Sequence, residues 1–263
     1  MKQLAIEDNL GGSEEPGYGF LGVRPSGPCR SSLFAPPGFA LQMARATLAR
    51  GTELHWSPHA GDEVLYVMAG SLMAGAVMAG SVMAGDQRCP AGGVLLVDEG
   101  AAFHVQAESK TVLLHFGRQD TLGRAAPGTG RAWVQMIGPA GAYATSDAAR
   151  DTRFYAESDE DFSATFFYTG RTGPYRSLPH SHSEDEIIYV AAGSITLGAR
   201  QVPAGSAIAV PGDRKYGFVG DDAGFALLNY RRGPSRFSGA DGAPPFLEGG
   251  RATGMARVVA PDR

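Results

Sequence analysis

The sequence predicts an all-β protein made of two tandem small barrels that arose by duplication of one unit. Three observations carry that expectation. There are 37 glycines and 17 prolines in 263 residues, about a fifth of the chain, and these residues punctuate regular structure rather than propagate it. Apolar runs are short, β-branched or aromatic, and bounded by those same residues, which is strand chemistry. The chain also contains a long internal repeat.

At an offset of 123, His59-Ala-Gly-Asp-Glu63-Val-Leu-Tyr-Val-Met-Ala-Gly70 falls on His182-Ser-Glu-Asp-Glu186-Ile-Ile-Tyr-Val-Ala-Ala-Gly193. Further on the offset drops to 113, where Pro90-Ala-Gly92 matches Pro203-Ala-Gly205 and Val112–Arg118 matches Phe225–Arg231. The difference is accounted for by a pentapeptide, VMAGS-LMAGA-VMAGS-VMAG, repeated between Val67 and Gly85. Residues 76–85 are therefore an insertion into a strand–turn–strand connection of the first copy. The uncharged stretch Val64–Gly85 is long enough to span a bilayer, but a period of five fits no helix face and its Gly and Ser dilute the hydrophobicity.

The expected layout follows in chain order. Residues 1–35 are a Gly/Pro-rich arm, 36–118 the first barrel, 119–159 a linker, 160–232 the second barrel and 233–263 a tail. In the second copy Ser163–Thr169, Asp185–Ala191, Ser206–Val210 and Phe225–Tyr230 read as successive strands, and many short strands with regular turns close into a barrel or jelly roll.

Composition narrows the function. Lys+Arg total 23 against 27 Asp+Glu, a net charge of −4, which lacks the basic footprint of a nucleic-acid binder. Two cysteines, Cys29 and Cys89, are too few for a disulfide framework. No apolar stretch of signal-peptide length opens the chain, so the expected compartment is the cytoplasm. Arginine far outnumbers lysine, the usage of a GC-rich bacterial genome. A small-molecule substrate is the expected partner, with no nucleic acid and no membrane; a homodimer is an expectation from analogy.

The densest chemistry lies in Gly173-Pro-Tyr-Arg176-Ser-Leu-Pro-His180-Ser-His182-Ser-Glu-Asp-Glu186, followed by Gly193. This resembles the first motif of the cupin superfamily, HxHxxxE with a glycine seven residues later. Gly205–Tyr216 resembles the second motif, in which the family carries a fourth metal-binding histidine where this chain has Tyr216. Both copies match, so the chain looks like a bicupin, two cupin-type jelly rolls in one polypeptide. The resemblance implies one divalent metal ion per chain, held by His180, His182 and Glu186 with Tyr216 nearby. Iron(II) is favoured; manganese, zinc, nickel, cobalt or copper also suit two imidazoles and a carboxylate.

Beside the resemblance stand the residues themselves. Alternation along a strand puts Arg176, Leu178, His180 and His182 on one face, so Arg176 is a candidate clamp for a substrate carboxylate, or else a side chain that reaches the rim. Tyr216 either packs the barrel floor or serves as a weak ligand, acid, base or hydrogen-bond donor; Glu186 and Tyr216 are the candidate catalytic pair. In the first copy the aligned positions are Ser57, His59, Glu63 and Phe103, which leaves two ligands. His55 or His104 would have to move into reach to rebuild a site with His59 and Glu63, and His115 is either cavity-lining or a satisfied core histidine. The expected function is a metal-dependent enzyme of small-molecule metabolism, foremost a non-haem dioxygenase acting in the second barrel. The alternatives are an isomerase, lyase or decarboxylase using the metal as Lewis acid, and a non-catalytic binding barrel.

Overall fold

A computed structural model describes residues 2–20, 22–56, 61–75, 87–101, 103–119, 134–158 and 162–239. Strands dominate them, and the helical content among them is one short 3-10 turn, Leu10–Gly12. None of their helices is long and apolar enough to cross a membrane. The chain divides into two compact units.

The first unit comprises described residues of 11–35 and 42–142. One of its sheets runs, neighbour to neighbour, Val134–Ile137, Val94–Val97, Glu63–Ala69, Thr111–Arg118, Leu41–Leu48, Cys29–Phe34 and Glu15–Pro16. The other runs Val23–Ser26, Glu53–Trp56, His104–Ala107, Ser71–Gly75 and Gln87–Pro90. The inward residues of both sheets share one core, in which Ala44, Leu54, Leu65, Val67, Leu72, Val97 and Val105 are wholly buried. Fully burying a Leu or Val contributes about 1.5–3 kcal/mol, so this core is the main source of the unit's stability.

The second unit comprises described residues of 1–10, 36–41 and 143–239. Its main sheet follows the order Ala5–Glu7, Ala207–Val210, Glu186–Leu197, Phe218–Arg232, Ala164–Arg171, Arg150–Ala156 and Tyr143–Asp147. A separate two-stranded ribbon pairs His180–His182 with Phe237–Gly239. Its core gathers Ile188, Val190, Ile195, Val202, Ile208, Val210, Phe225 and Leu227.

Glycine marks matching turns in the two units. Gly92 (φ 78°) and Gly205 (φ 90°) each occupy the third position of a Pro-Ala-Gly turn, closed by Gly93 N–H to Pro90 O and Ser206 N–H to Pro203 O. A type II turn requires positive φ at that position, which glycine adopts without strain.

Three expectations about chain layout change. The arm is not free: Ala5–Glu7 pairs antiparallel with Ala207–Val210, and Leu4 and Ile6 pack on the second unit's core. An exposed edge strand needs a cover, and the first residues of the chain supply it. Residues 11–35 likewise contribute the strands Glu15–Pro16, Val23–Ser26 and Cys29–Phe34 to the first unit. The linker carries three strands, Val134–Ile137 on Val94–Val97, and Tyr143–Asp147 with Arg150–Ala156 extending the second unit's sheet. From the tail, Phe237–Gly239 pairs with the histidine strand. The pentapeptide insertion 76–85 lies outside the described residues; the strands before and after it pair with each other from Ser71↔Pro90 to Ala74↔Gln87.

Candidate functional site

A cavity of about 660 Å³ opens in the second unit. Its walls are largely aromatic and aliphatic, with Phe154, Phe167, Tyr175, Phe218, Leu227 and Phe237 prominent, and its polar lining includes His180, His182, Tyr216, Asn229 and Arg231. A mainly apolar pocket of this size with a few convergent polar groups is the usual form of a small-molecule site.

Local pairing explains the convergence. His180–His182 is held on one side by Phe237–Gly239 and on the other by a bridge in which His180 and Tyr216 exchange both backbone hydrogen bonds, at 2.8 and 2.9 Å. Residues directly opposite in such a bridge project to the same side, so the two rings lie 4.5 Å apart. His180 Nδ1 donates to the Leu178 carbonyl at 2.8 Å, which leaves Nε2 as the lone-pair nitrogen. Phe237 stacks on the His180 ring at 5.4 Å and also packs against His182.

Glu186 opens the Glu186–Leu197 strand and is buried. Its Oε2 accepts from Asn229 Nδ2 at 2.8 Å, while Oε1 is buried without a well-formed hydrogen bond. The Tyr216 phenol faces this carboxylate. Burial, then the Glu186 charge and hydrogen bond, raise the phenol's pKa well above its usual value, so Tyr216 stays protonated and acts as a donor. His182 is pushed down to about 2 by burial, by the Arg231 charge and by His180, so its ring is neutral.

Arg231 is the residue that sequence reasoning missed. It lies opposite Glu186 in the strand register. Its Nη1 reaches the edge of the His182 imidazole, 2.9 Å from Nε2 and also in contact with Nδ1. The guanidinium rests over Phe167 at 5.4 Å, and Nε is buried without a partner. No carboxylate among the described residues forms an ion pair with it. The signal was present: in the apolar run Phe225–Arg231, period-two alternation puts Leu227, Asn229 and Arg231 on one face, and all three line the cavity.

Arg176 takes the rim placement, one of its two expected alternatives. It is exposed at the mouth of the cavity, Leu178 is 60% exposed, and Ser177 is the buried residue between them. The strand Tyr175–Arg176 ends before Pro179 and a new one starts at His180, so the two-residue period cannot be counted across the break.

The donor set can be tested against a divalent cation. Two imidazoles, a buried carboxylate oxygen lacking a partner and a phenol are suitable donors, yet no group of three or more His, Cys, Asp or Glu among the described residues is arranged to hold a metal. The His182 edge is taken by a cation already, Arg231. As arranged, the residues do not fit a metal centre.

In the first unit the equivalent carboxylate is engaged. Glu63 Oε2 accepts from Trp56 Nε1 and from His115 Nε2, both at 2.8 Å, and His115 Nδ1 bonds to the Tyr18 hydroxyl at 3.0 Å. His115 is thus a satisfied core histidine, stacked on Phe20 at 3.5 Å. Phe103 stacks on Trp56 at 4.3 Å. His104 is turned to the outer face beside His55, away from the face that carries Trp56, because the strands Glu53–Trp56 and His104–Ala107 alternate in register. Ser57 and His59 lie outside the described residues.

No family model and no curated protein matches the sequence. Solved structures do match in fold. The chain is similar to YlbA from E. coli at 14% identity and TM-score 0.62, covering 87% of this chain and 90% of that one. It is similar to the formate complex of Lactobacillus farciminis oxalate decarboxylase at 11% identity and TM-score 0.66, covering 92% and 89%. It is also similar to the coconut allergen cocosin at 11% identity and TM-score 0.64, covering 91% and 88%. These are cupin-fold proteins, and the chain has that all-β fold.

Proposed function

We propose that the cavity of the second unit binds a small organic acid with an apolar body, and that the two units are copies of one jelly roll. The observation that carries this reading is Arg231, a guanidinium without a carboxylate partner among the described residues, lining an aromatic-walled cavity. A partly buried cation of this kind is costly unless compensated, and a ligand carboxylate would compensate it bidentately. Tyr216, its phenol facing Glu186, lies beside it, and His180 Nε2 offers a lone pair to a ligand donor. Phe154, Phe167, Phe218 and Phe237 give the ligand body its apolar surroundings. The oxalate decarboxylase likeness is one of fold and does not choose among acids.

The test is a thermal melt of the full chain, freed of metals with a chelator, in phenylacetate or in the neutral isostere phenylacetamide. A ligand at about 100 times its Kd adds about 2.7 kcal/mol and raises Tm by several degrees. The acid is expected to do so, the amide to do far less, and Arg231→Met to lose the acid's effect. Equal shifts with acid and amide, or none with a panel of aromatic and aliphatic acids, would overturn the reading.

A second reading, the metal-dependent dioxygenase or a Lewis-acid decarboxylase or isomerase, is favoured by the His180-x-His182-x3-Glu186 spacing and by the unsatisfied Glu186 Oε1. Chain that retains iron through purification and consumes oxygen with a bound acid would establish the first form. Bound manganese or zinc with turnover and no oxygen uptake would establish the second.

A further inference from the structure

We infer that the Arg231 guanidinium occupies the cation position of the His180, His182 and Glu186 donor set, so that the chain excludes a divalent metal from the site its motif describes. This goes beyond acid binding, and the two stand or fall on different measurements.

The argument starts from the last strand of the second unit. Arg231 is paired directly with Glu186 across the strands, so the two side chains leave the sheet on the same face. Its Nη1 donates to the imidazole of His182, and an imidazole nitrogen that accepts an N–H bond has no lone pair left for a metal. Arg231, both histidines and Tyr216 line the same cavity, and the Tyr216 ring lies 4.5 Å from that of His180. Phe167 backs the guanidinium face, and Phe237 packs on both histidines, which holds the arrangement from two sides. A second, doubly charged cation placed among these groups would be repelled by Arg231 across a medium of low dielectric. His180 is engaged through Nδ1 with the Leu178 carbonyl, and Glu186 Oε2 with Asn229, so both already sit in a network that needs no metal to orient it.

The arrangement has a counterpart in the first unit, where Glu63, at the position aligned with Glu186, is likewise satisfied by protein groups alone, Trp56 and His115. The two units have met the same buried carboxylate with different neighbours.

The experiment is a titration of metal-free full chain with cobalt(II), followed by visible absorption and by equilibrium dialysis. Wild type is expected to show no tight binding. Arg231→Met is expected to gain about one cobalt per chain, with affinity improved by at least about tenfold, and Arg231→Met combined with Glu186→Gln is expected to lose it again. Near-UV circular dichroism checks that each variant is folded, and Arg231→Gln serves if the methionine variant is not. Tight stoichiometric cobalt binding by wild type would overturn the inference, as would a folded Arg231 variant whose cobalt affinity is unchanged. Absence of acid binding by wild type, with these cobalt results intact, would count against the organic-acid reading alone.

Discussion

Glu63 and Glu186 stand at equivalent positions of the repeat, each at the start of a strand and each buried, yet they live in opposite circumstances. Glu63 accepts an indole N–H and an imidazole N–H at one oxygen, and a stack of Phe20, His115, Trp56 and Phe103 fills the space around it. Glu186 accepts one amide N–H from Asn229 and faces the Tyr216 phenol, and these two neighbours line a cavity. The difference teaches that a barrel can keep a motif's carboxylate for two ends. Held by an indole and an imidazole among core aromatics, it is structural; held by an amide and faced by a phenol that both line a cavity, it orients groups a ligand can reach.

The comparison can be broken most forcefully at His115. His115→Ala removes a bond to buried Glu63, strands the carboxylate and opens a void, and is expected to cost about 3–5 kcal/mol. Trp56 lies in the first unit's core, so its fluorescence in a urea titration follows that unit. A loss under about 1 kcal/mol would mean that Glu63 is not held as described.

Acidification tests the other unit. The folded pKa of His182, about 2, lies below its ordinary 6.5, so as pH falls the unfolded chain takes up a proton that the folded chain refuses. Stability is therefore fully present above pH 6.5 and declines as pH drops toward 2, by at most about 1.4 kcal/mol per pH unit from this group. His182→Gln is expected to flatten that decline in urea midpoints read by tyrosine near-UV dichroism; an unchanged slope would show that His182 is not kept neutral. Asn229→Ala, which removes the single well-formed hydrogen bond to buried Glu186, is expected to cost about 1.5–3 kcal/mol by the same measurement. Smallest of all, Glu186→Gln is expected to change stability by about 1 kcal/mol or less, because Asn229 can donate to its amide oxygen and one buried charge disappears. Glu63→Gln should cost more, and equal costs for the two would erase the contrast between the units.

Much of this was legible in the chain. The Pro-Ala-Gly turns, the short β-branched runs and the glycines after each motif announce their geometry through local backbone preference, which is why Gly70, Gly92, Gly193 and Gly205 all have positive φ. The histidine pair, Glu186 and Tyr216 were legible as a constellation, and the fold brings the two histidines and Tyr216 around one cavity with Glu186 behind them. The choice between clamp and rim for Arg176 was not legible, because the strand period does not carry across Pro179. The engagement of Glu63 was hidden because Tyr18, Trp56 and His115 are distant in sequence and meet only through pairing.

What the amino-acid sequence determined by itself, then, is an all-β chain, the positions of its turns and the chemical content of its motif, since each depends on neighbours a few residues apart. Only the tertiary structure decided that the first residues close the second unit's sheet, that Arg231 joins the histidines at the cavity, and that the two buried carboxylates have different partners. Those outcomes rest on strand pairing between segments separated by tens to hundreds of residues, where a register partner, not a local preference, sets which side chains meet.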